Sequence, residues 1–211
     1  MSVIRNPLFA WYFARCGARN EERGNRELRR ETLAGLDGRV IEVGAGTGLN
    51  FPHYPPEVRE VLAVEPEPYL RERATESARS APVPVRVVDG TADRIPTDEA
   101  YDAVVVSGLL CSVDDQAAAL AEFRRVLRPG GRLRFYEHVR SRDAVYGGAQ
   151  DAANLLWPRL MGGCNCNRDT LTAIRDVFTI EAVRGFRFPP GAVFSPVAPR
   201  IVGSARNDAP A

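Results

Sequence analysis

The sequence contains no lysine: all 28 Lys+Arg positions of its 211 residues are arginine. Chemistry that needs a lysine amine is thereby excluded, including Schiff bases, pyridoxal phosphate anchoring and the phosphate loop ending in Gly-Lys-Ser/Thr. Alongside abundant Ala and Pro, the same absence points to a GC-rich genome. Histidine is scarce as well, with 2 in the chain, so imidazole bases are limited to His53 and His138. Net charge is +1, which offers no footprint for a polyanion, and no nucleic-acid partner is expected. No apolar run approaches the about 20 residues of a membrane span. The apolar run Pro7–Phe13 is short for a signal peptide and lacks a small-residue cleavage site. A cytoplasmic location is therefore expected. The cysteines are few, Cys16, Cys111, Cys164 and Cys166, and a reducing compartment would keep them free of disulfides. One residue separates Cys164 from Cys166, against two to four in common zinc sites, and no second pair stands nearby. No metal site is expected.

What is present reads as one globular domain, with 45% apolar and 26% charged residues. Glu21–Leu36 is a charged, amphipathic segment that ends at Gly35 and Gly38, both helix stop signals. Ahead of it Phe9, Trp11, Tyr12 and Phe13 cluster. Three readings fit them: a helix packed on the core, a lid over an apolar pocket, or a peripheral contact with a membrane surface. From Arg39 the pattern alternates. Strands are expected at 39–44, 60–65, 84–89, 101–106 and 132–139, with helices around Tyr69–Arg79 and Asp114–Leu127. Such alternation gives right-handed crossovers and a parallel sheet. An irregular, glycine-containing stretch follows Val139. A helix at Arg168–Phe178 with Asn167 as N-cap comes next, then two strands near 179–188 and 199–206.

The chemistry starts at Gly44-x-Gly46-x-Gly48, which leaves the first strand and should lead into a helix. A dinucleotide fingerprint, G-x-G-x-x-G, would need glycine where Leu49 stands. Glu65 closes the second strand, where a carboxylate can accept both ribose hydroxyls of an adenosyl group. The loop Asp89–Pro96 follows the third strand and would lie beside an adenine ring. Leu127-Arg-Pro-Gly-Gly131 is a turn in which Pro129 ends a helix and Gly130 and Gly131 supply positive φ.

In this order, VIEVGAGTG, AVEP, VVDGTADRIP, YDAVVVSGLLCSV and FRRVLRPGGRL resemble class I methyltransferases dependent on S-adenosylmethionine (SAM). GLNFPHYPP, GLLCSV with FYEHVRS, and GGCNCNRDT are similar to a narrower group, the methyltransferase-like alkyl-thiol S-methyltransferases and their bacterial relatives. The resemblance implies a Rossmann-like, doubly wound α/β fold with a mostly parallel, seven-stranded sheet. It extends from about residue 39 to the C-terminus and implies a methyltransferase domain over 39–211, ahead of which residues 1–38 read as a helical extension or lid. SAM is the implied cofactor. Gly44, Gly46 and Gly48 would surround its methionine end, Glu65 its ribose, and Thr91 and Ala92 its adenine. Ser107 and Leu109 would stand near the sulfonium, and Glu42, Asn50 and Pro66 complete the set. Many relatives carry an acidic residue where this chain has Thr91, so Asp93 or Asp89 could take over the adenine contact.

The implied acceptor is a small lipophilic molecule, a thiol first, with N- or O-methylation of a natural-product scaffold or lipid headgroup as the alternative. Trp157, Phe186, Phe188, Phe194 and the N-terminal aromatics would line its pocket. His138 and Glu137, at the carboxyl end of the fifth strand, are candidates for catalysis, and so is His53 beyond the glycines; a structural imidazole is the competing reading for His138. Two other classes remain open: a nicotinamide-dependent oxidoreductase, which Leu49 opposes, and a SAM-binding partner subunit without activity. No oligomeric state follows from the sequence.

Overall fold

A computed structural model describes residues 10–11, 14–15, 21–189, 191–192 and 195–208. Seven strands carry the fold: β1 Gly38–Val43, β2 Val58–Val64, β3 Val85–Val88, β4 Tyr101–Ser107, β5 Leu127–His138, β6 Thr179–Arg187 and β7 Pro199–Arg206. They form one sheet in the order β3-β2-β1-β4-β5-β7-β6. β1 pairs in parallel with β2 and β4, β2 with β3, and β4 with β5. β7 alone reverses, running antiparallel to both β5 and β6. The mostly parallel, seven-stranded Rossmann-like sheet expected from the sequence is the one observed. Strand order turns back between β1 and β4, so the loop leaving β1 opens at the topological switch point, where ligands of such sheets bind.

The central strands divide their apolar residues between two cores because successive side chains point to opposite faces. Ile41, Val43, Leu62, Val64, Val104 and Val106 pack on one face with Leu120, Phe123 and Ile174. Val40, Val61, Ala63, Ala103 and Val105 pack on the other with Leu33, Phe51, Tyr54 and Ala74. The helices are α1 Arg26–Leu33, α2 Pro68–Ala78, α3 Gln116–Val126, α4 Ala144–Ala153, α5 Trp157–Leu160 and α6 Thr170–Arg175. A π-type turn, Glu21–Asn25, leads into α1 and bends at Gly24, whose φ is 105°. Among the described residues no helix is long and apolar enough to cross a membrane.

Four local expectations are corrected. The segment after the glycine loop is a turn followed by a 3-10 helix, Phe51–His53, and not an α-helix. Pro52 offers no N–H, and Pro55 holds Tyr54 extended at ψ 131°. The stretch after Val139 contains α4, capped by the Asp143 carboxylate, which accepts from the Tyr146 N–H. Gly147 lies inside that helix, beside the Arg140 guanidinium. The last helix is capped by Asp169, which accepts from Thr172 N–H, rather than by Asn167. Leu127–Gly131 is the start of β5 rather than a separate turn: the preceding helix already ends at Val126, ahead of Pro129, and only Gly130 has positive φ, 75°. Gly131 is needed for another reason: a Cβ there would meet the Arg128 carbonyl oxygen at 2.9 Å.

Candidate active site

The loop leaving β1 is left-handed at all three glycines, with φ 71° at Gly44, 59° at Gly46 and 79° at Gly48. Other residues rarely adopt that conformation. Space adds a second constraint: a Cβ on Gly44 would approach Leu109 Cδ1 to 2.7 Å, and one on Gly48 the Phe51 ring to 2.5 Å. The amides of Gly44 and Ala45 donate to the Val64 carbonyl at 2.9 and 3.2 Å, tying the loop to the end of β2. There Glu65 is 5% exposed. Its carboxylate accepts from the Gly46 N–H at 2.8 Å and the Glu67 N–H at 3.0 Å. Burial outweighs those two amides and pushes its pKa up to about 7.

A second buried carboxylate, Glu42, accepts from Asn50 Nδ2 at 2.9 Å and from the Tyr54 hydroxyl at 2.7 Å. Burial also pushes Glu42 up to about 7. Asn50 Nδ2 stands 3.3 Å from Ser107 Oγ, and Asn50 Oδ1 accepts from Arg29 of α1 at 2.9 Å. Glu42, Asn50 and Ser107 thus form one hydrogen-bonded chain that α1 closes.

A cavity of about 470 Å³ opens at the carboxyl ends of the strands. That size falls within the roughly 300–1,000 Å³ of small-molecule sites. Gly44, Glu65, Pro66, Thr91, Ala92 and Leu109 line it, so six of the expected cofactor residues share one wall. Gly46 reaches it through Glu65. Glu42, Gly48, Asn50 and Ser107 do not line it. Asp93 does, whereas Asp89 points outward to Arg71 at 3.1 Å. Gly90 must be glycine, since a Cβ would meet Pro96 Cδ at 2.8 Å and Val64 Cγ1 at 2.9 Å. Residues that sequence reading missed include Ala10, Glu67, Leu70, Ser112–Asp115 and Gly162, all on the wall. Ser112–Asp115 follow the end of β4, so the strand-end rule alone would have found them. Ala10 and Gly162 arrive only through tertiary packing.

None of the three catalytic candidates lines the cavity. Glu137 is fully buried and holds the turn after β4, its Oε1 accepting from the amides of Leu109 at 2.9 Å and Leu110 at 3.2 Å. Burial pushes it up to about 7. His53 is lowered by burial and by Arg30 beside it. His138 is buried, with Nε2 at 3.4 Å from Cys164 Sγ. Cys111 completes a cluster whose ligating atoms all lie within 4.8 Å. Hydrogen bonding between the two thiols lowers Cys164, against the effect of its burial, and raises Cys111, where burial acts in the same direction. Phe186 and Phe188 leave the expected acceptor pocket: Phe186 on β6 and Phe188 just beyond it pack with Leu28, Tyr136 and Val202. Phe9, Tyr12, Phe13, Cys16 and Phe194 lie outside the described residues.

Glycine loop, switch point and strand-end carboxylate together define an adenosyl-binding Rossmann-like enzyme. Residues 41–135 match the methyltransferase domain family. The chain is 35% identical over 196 residues to human Thiol S-methyltransferase TMT1B, covering 89% of this chain and 80% of that one. It is 34% identical over 151 residues to human Thiol S-methyltransferase TMT1A, covering 68% and 62%. Among solved structures, N-methyltransferase NodS from Bradyrhizobium japonicum, in complex with S-adenosylhomocysteine, shares the fold at TM-score 0.66 and 19% identity, over 90% of this chain and 87% of that one. YcgJ from Bacillus subtilis does so at TM-score 0.66 and 17% identity, over 87% and 98%. The chain belongs to the SAM-dependent methyltransferases, in the family that contains TMT1A and TMT1B. The nicotinamide-dependent reading falls with that assignment.

Proposed function

We propose that this methyltransferase acts on the sulfur of a small lipophilic thiol. Kinship carries the reading: a relative named as a thiol S-methyltransferase aligns with 89% of the chain. The cavity supports it, since Val43, Leu70, Leu109, Val113 and Ala119 give its wall an apolar character.

The residues fit the cofactor. Glu65 presents a carboxylate at the cavity whose burial is not offset by its two amides, and the two hydroxyls of a ribose are the donors it lacks. Thr91, Ala92 and Asp93 stand where an adenine edge would be read. Leu109 packs on Gly44 between the loop and the rest of the cavity. Bound SAM supplies a methyl group on a sulfonium, an electrophile that needs an aligned nucleophile and no covalent enzyme intermediate. The protein's task is then positioning, which supplies about 7–11 kcal/mol in well-aligned systems. A free thiol has a pKa of about 8.5, so a modest downward shift gives thiolate at neutral pH. Glu137 we assign to holding the Leu109–Leu110 amides at the cavity edge, a positioning role. Ala10 on the cavity wall supports the lid reading of the N-terminal segment.

The test is turnover with SAM against matched alkyl thiols, amines and phenols, read as S-adenosylhomocysteine formed. Thiols are expected to turn over and to improve with chain length. Turnover confined to amines or phenols overturns the reading.

A further inference from the structure

Cys111, His138 and Cys164 come from three separate parts of the chain: the turn after β4, the end of β5 and the loop after α5. All three are buried, and their ligating atoms lie within 4.8 Å of one another. We infer that they form a binding site for one soft divalent cation, Zn²⁺, held by two thiolates and one imidazole.

One separation within the cluster fits a tetrahedral centre. Bond lengths of about 2.3 Å for Zn–S and about 2.0 Å for Zn–N at the tetrahedral angle separate sulfur from nitrogen by about 3.5 Å. Cys164 Sγ and His138 Nε2 are 3.4 Å apart. Donor types agree as well, since thiolate and imidazole select zinc over the hard cations. The His138 Nδ1 is buried without a hydrogen-bond partner among the described residues, and Nε2 faces the Cys164 sulfur. Cys166 is not part of the set. Its Sγ turns to the Gln150 carbonyl at 3.5 Å and to Asn154 Oδ1 at 3.6 Å. The one-residue Cys-x-Cys spacing is therefore incidental, and the partner of Cys164 is Cys111.

Three protein ligands leave a fourth position, as in zinc sites that take water or substrate. The cluster adjoins the cavity through Ser112, whose Oγ is 3.3 Å from Cys111 Sγ and which lines the cavity wall. The inferred fourth ligand is the acceptor sulfur: the thiol gives its proton to solvent on coordination, as Cys111 and Cys164 do on loading, and binds as thiolate. This last step rests on the thiol reading above; cation binding does not.

The test uses the whole chain, reduced and stripped with a chelator, then titrated with Co²⁺ and separately with Zn²⁺. One equivalent of Co²⁺ should produce a thiolate-to-cobalt charge-transfer band and intense visible bands of tetrahedral type. C111S, C164S and H138A should each weaken or abolish them, and C166S should keep them. X-ray absorption of the zinc-loaded wild type needs no variant and should give two sulfurs and one imidazole. Absence of the cobalt bands in the wild type, or their loss in C166S alone, overturns the site. Addition of an alkyl thiol should then shift the cobalt spectrum. An unshifted spectrum overturns the fourth-ligand assignment, whatever the turnover assay shows.

Discussion

Glu65 joins the fold to the proposed chemistry through one carboxylate. In the free protein burial raises it to about 7, while the ribose hydroxyls proposed to bind it would favour its charged form and lower it. Binding therefore expels a proton at any pH below about 7, and affinity weakens as pH falls. The expected slope is up to about tenfold per pH unit. Calorimetric titration with S-adenosylhomocysteine between pH 8 and pH 6 should show this in the wild type. Glu65→Gln should bind about 10–100-fold more weakly, the worth of a charge-assisted hydrogen bond, with little pH dependence. An affinity constant across that range in the wild type would sink the assignment. Position and residue type were enough to single out Glu65 in the sequence. Its two amide donors were not visible, because Gly46 reaches it only once the loop has turned at three left-handed glycines.

At the scale of elements, α1 is more than a cover. Leu28 and Leu33 bury into two different apolar clusters. Arg29, with a side chain 12% exposed, pairs with Glu21 at 2.8 Å and donates to Asn50 at 2.9 Å. Removing it strips a donor from the chain that runs to Glu42 and leaves Glu21 unpaired. Arg29→Ala is expected to cost about 1–3 kcal/mol by urea unfolding and to weaken S-adenosylhomocysteine binding as well. The exposed neighbour Arg26, replaced by Ala, should change neither. Equal behaviour of the two variants would remove α1 from the site. The helix itself was legible from its amphipathic spacing, although it starts at Arg26 rather than Glu21 because Gly24 bends the chain. The contact with Asn50 was not, since it depends on the angle at which α1 crosses the sheet. The strands were read within a few residues because their apolar runs are long. The helix expected after the glycines failed on proline chemistry at Pro52 and Pro55 that the glycine pattern masked.

For the whole molecule, what matters is that one cavity collects its walls from distant parts of the chain. Ala10, the strand-end loops around Gly44, Glu65, Thr91 and Leu109, and Gly162 all meet there. The strand-end loops were readable from alternation and the switch-point rule. The catalytic candidates were not, because the carboxyl end of a strand fixes a region but not which side chains face the cavity. Glu137 and His138 turned into the protein instead. A ligand that bridges such walls binds the folded chain and not the unfolded one, and so stabilises it by mass action. At one hundred times its dissociation constant this amounts to about 2.7 kcal/mol. For a chain of 211 residues, each kcal/mol moves Tm by about 2–4 °C. S-adenosylhomocysteine at that concentration should therefore raise Tm by about 5–11 °C, and NADH at the same concentration should not. Because the Glu65 carboxylate titrates near 7, the shift at a fixed ligand concentration should shrink between pH 8 and pH 6 and stay constant in Glu65→Gln. An equal shift with NADH would mean that the cavity reads an adenosyl group without regard to what it carries, and the glycine spacing would lose its discriminating role.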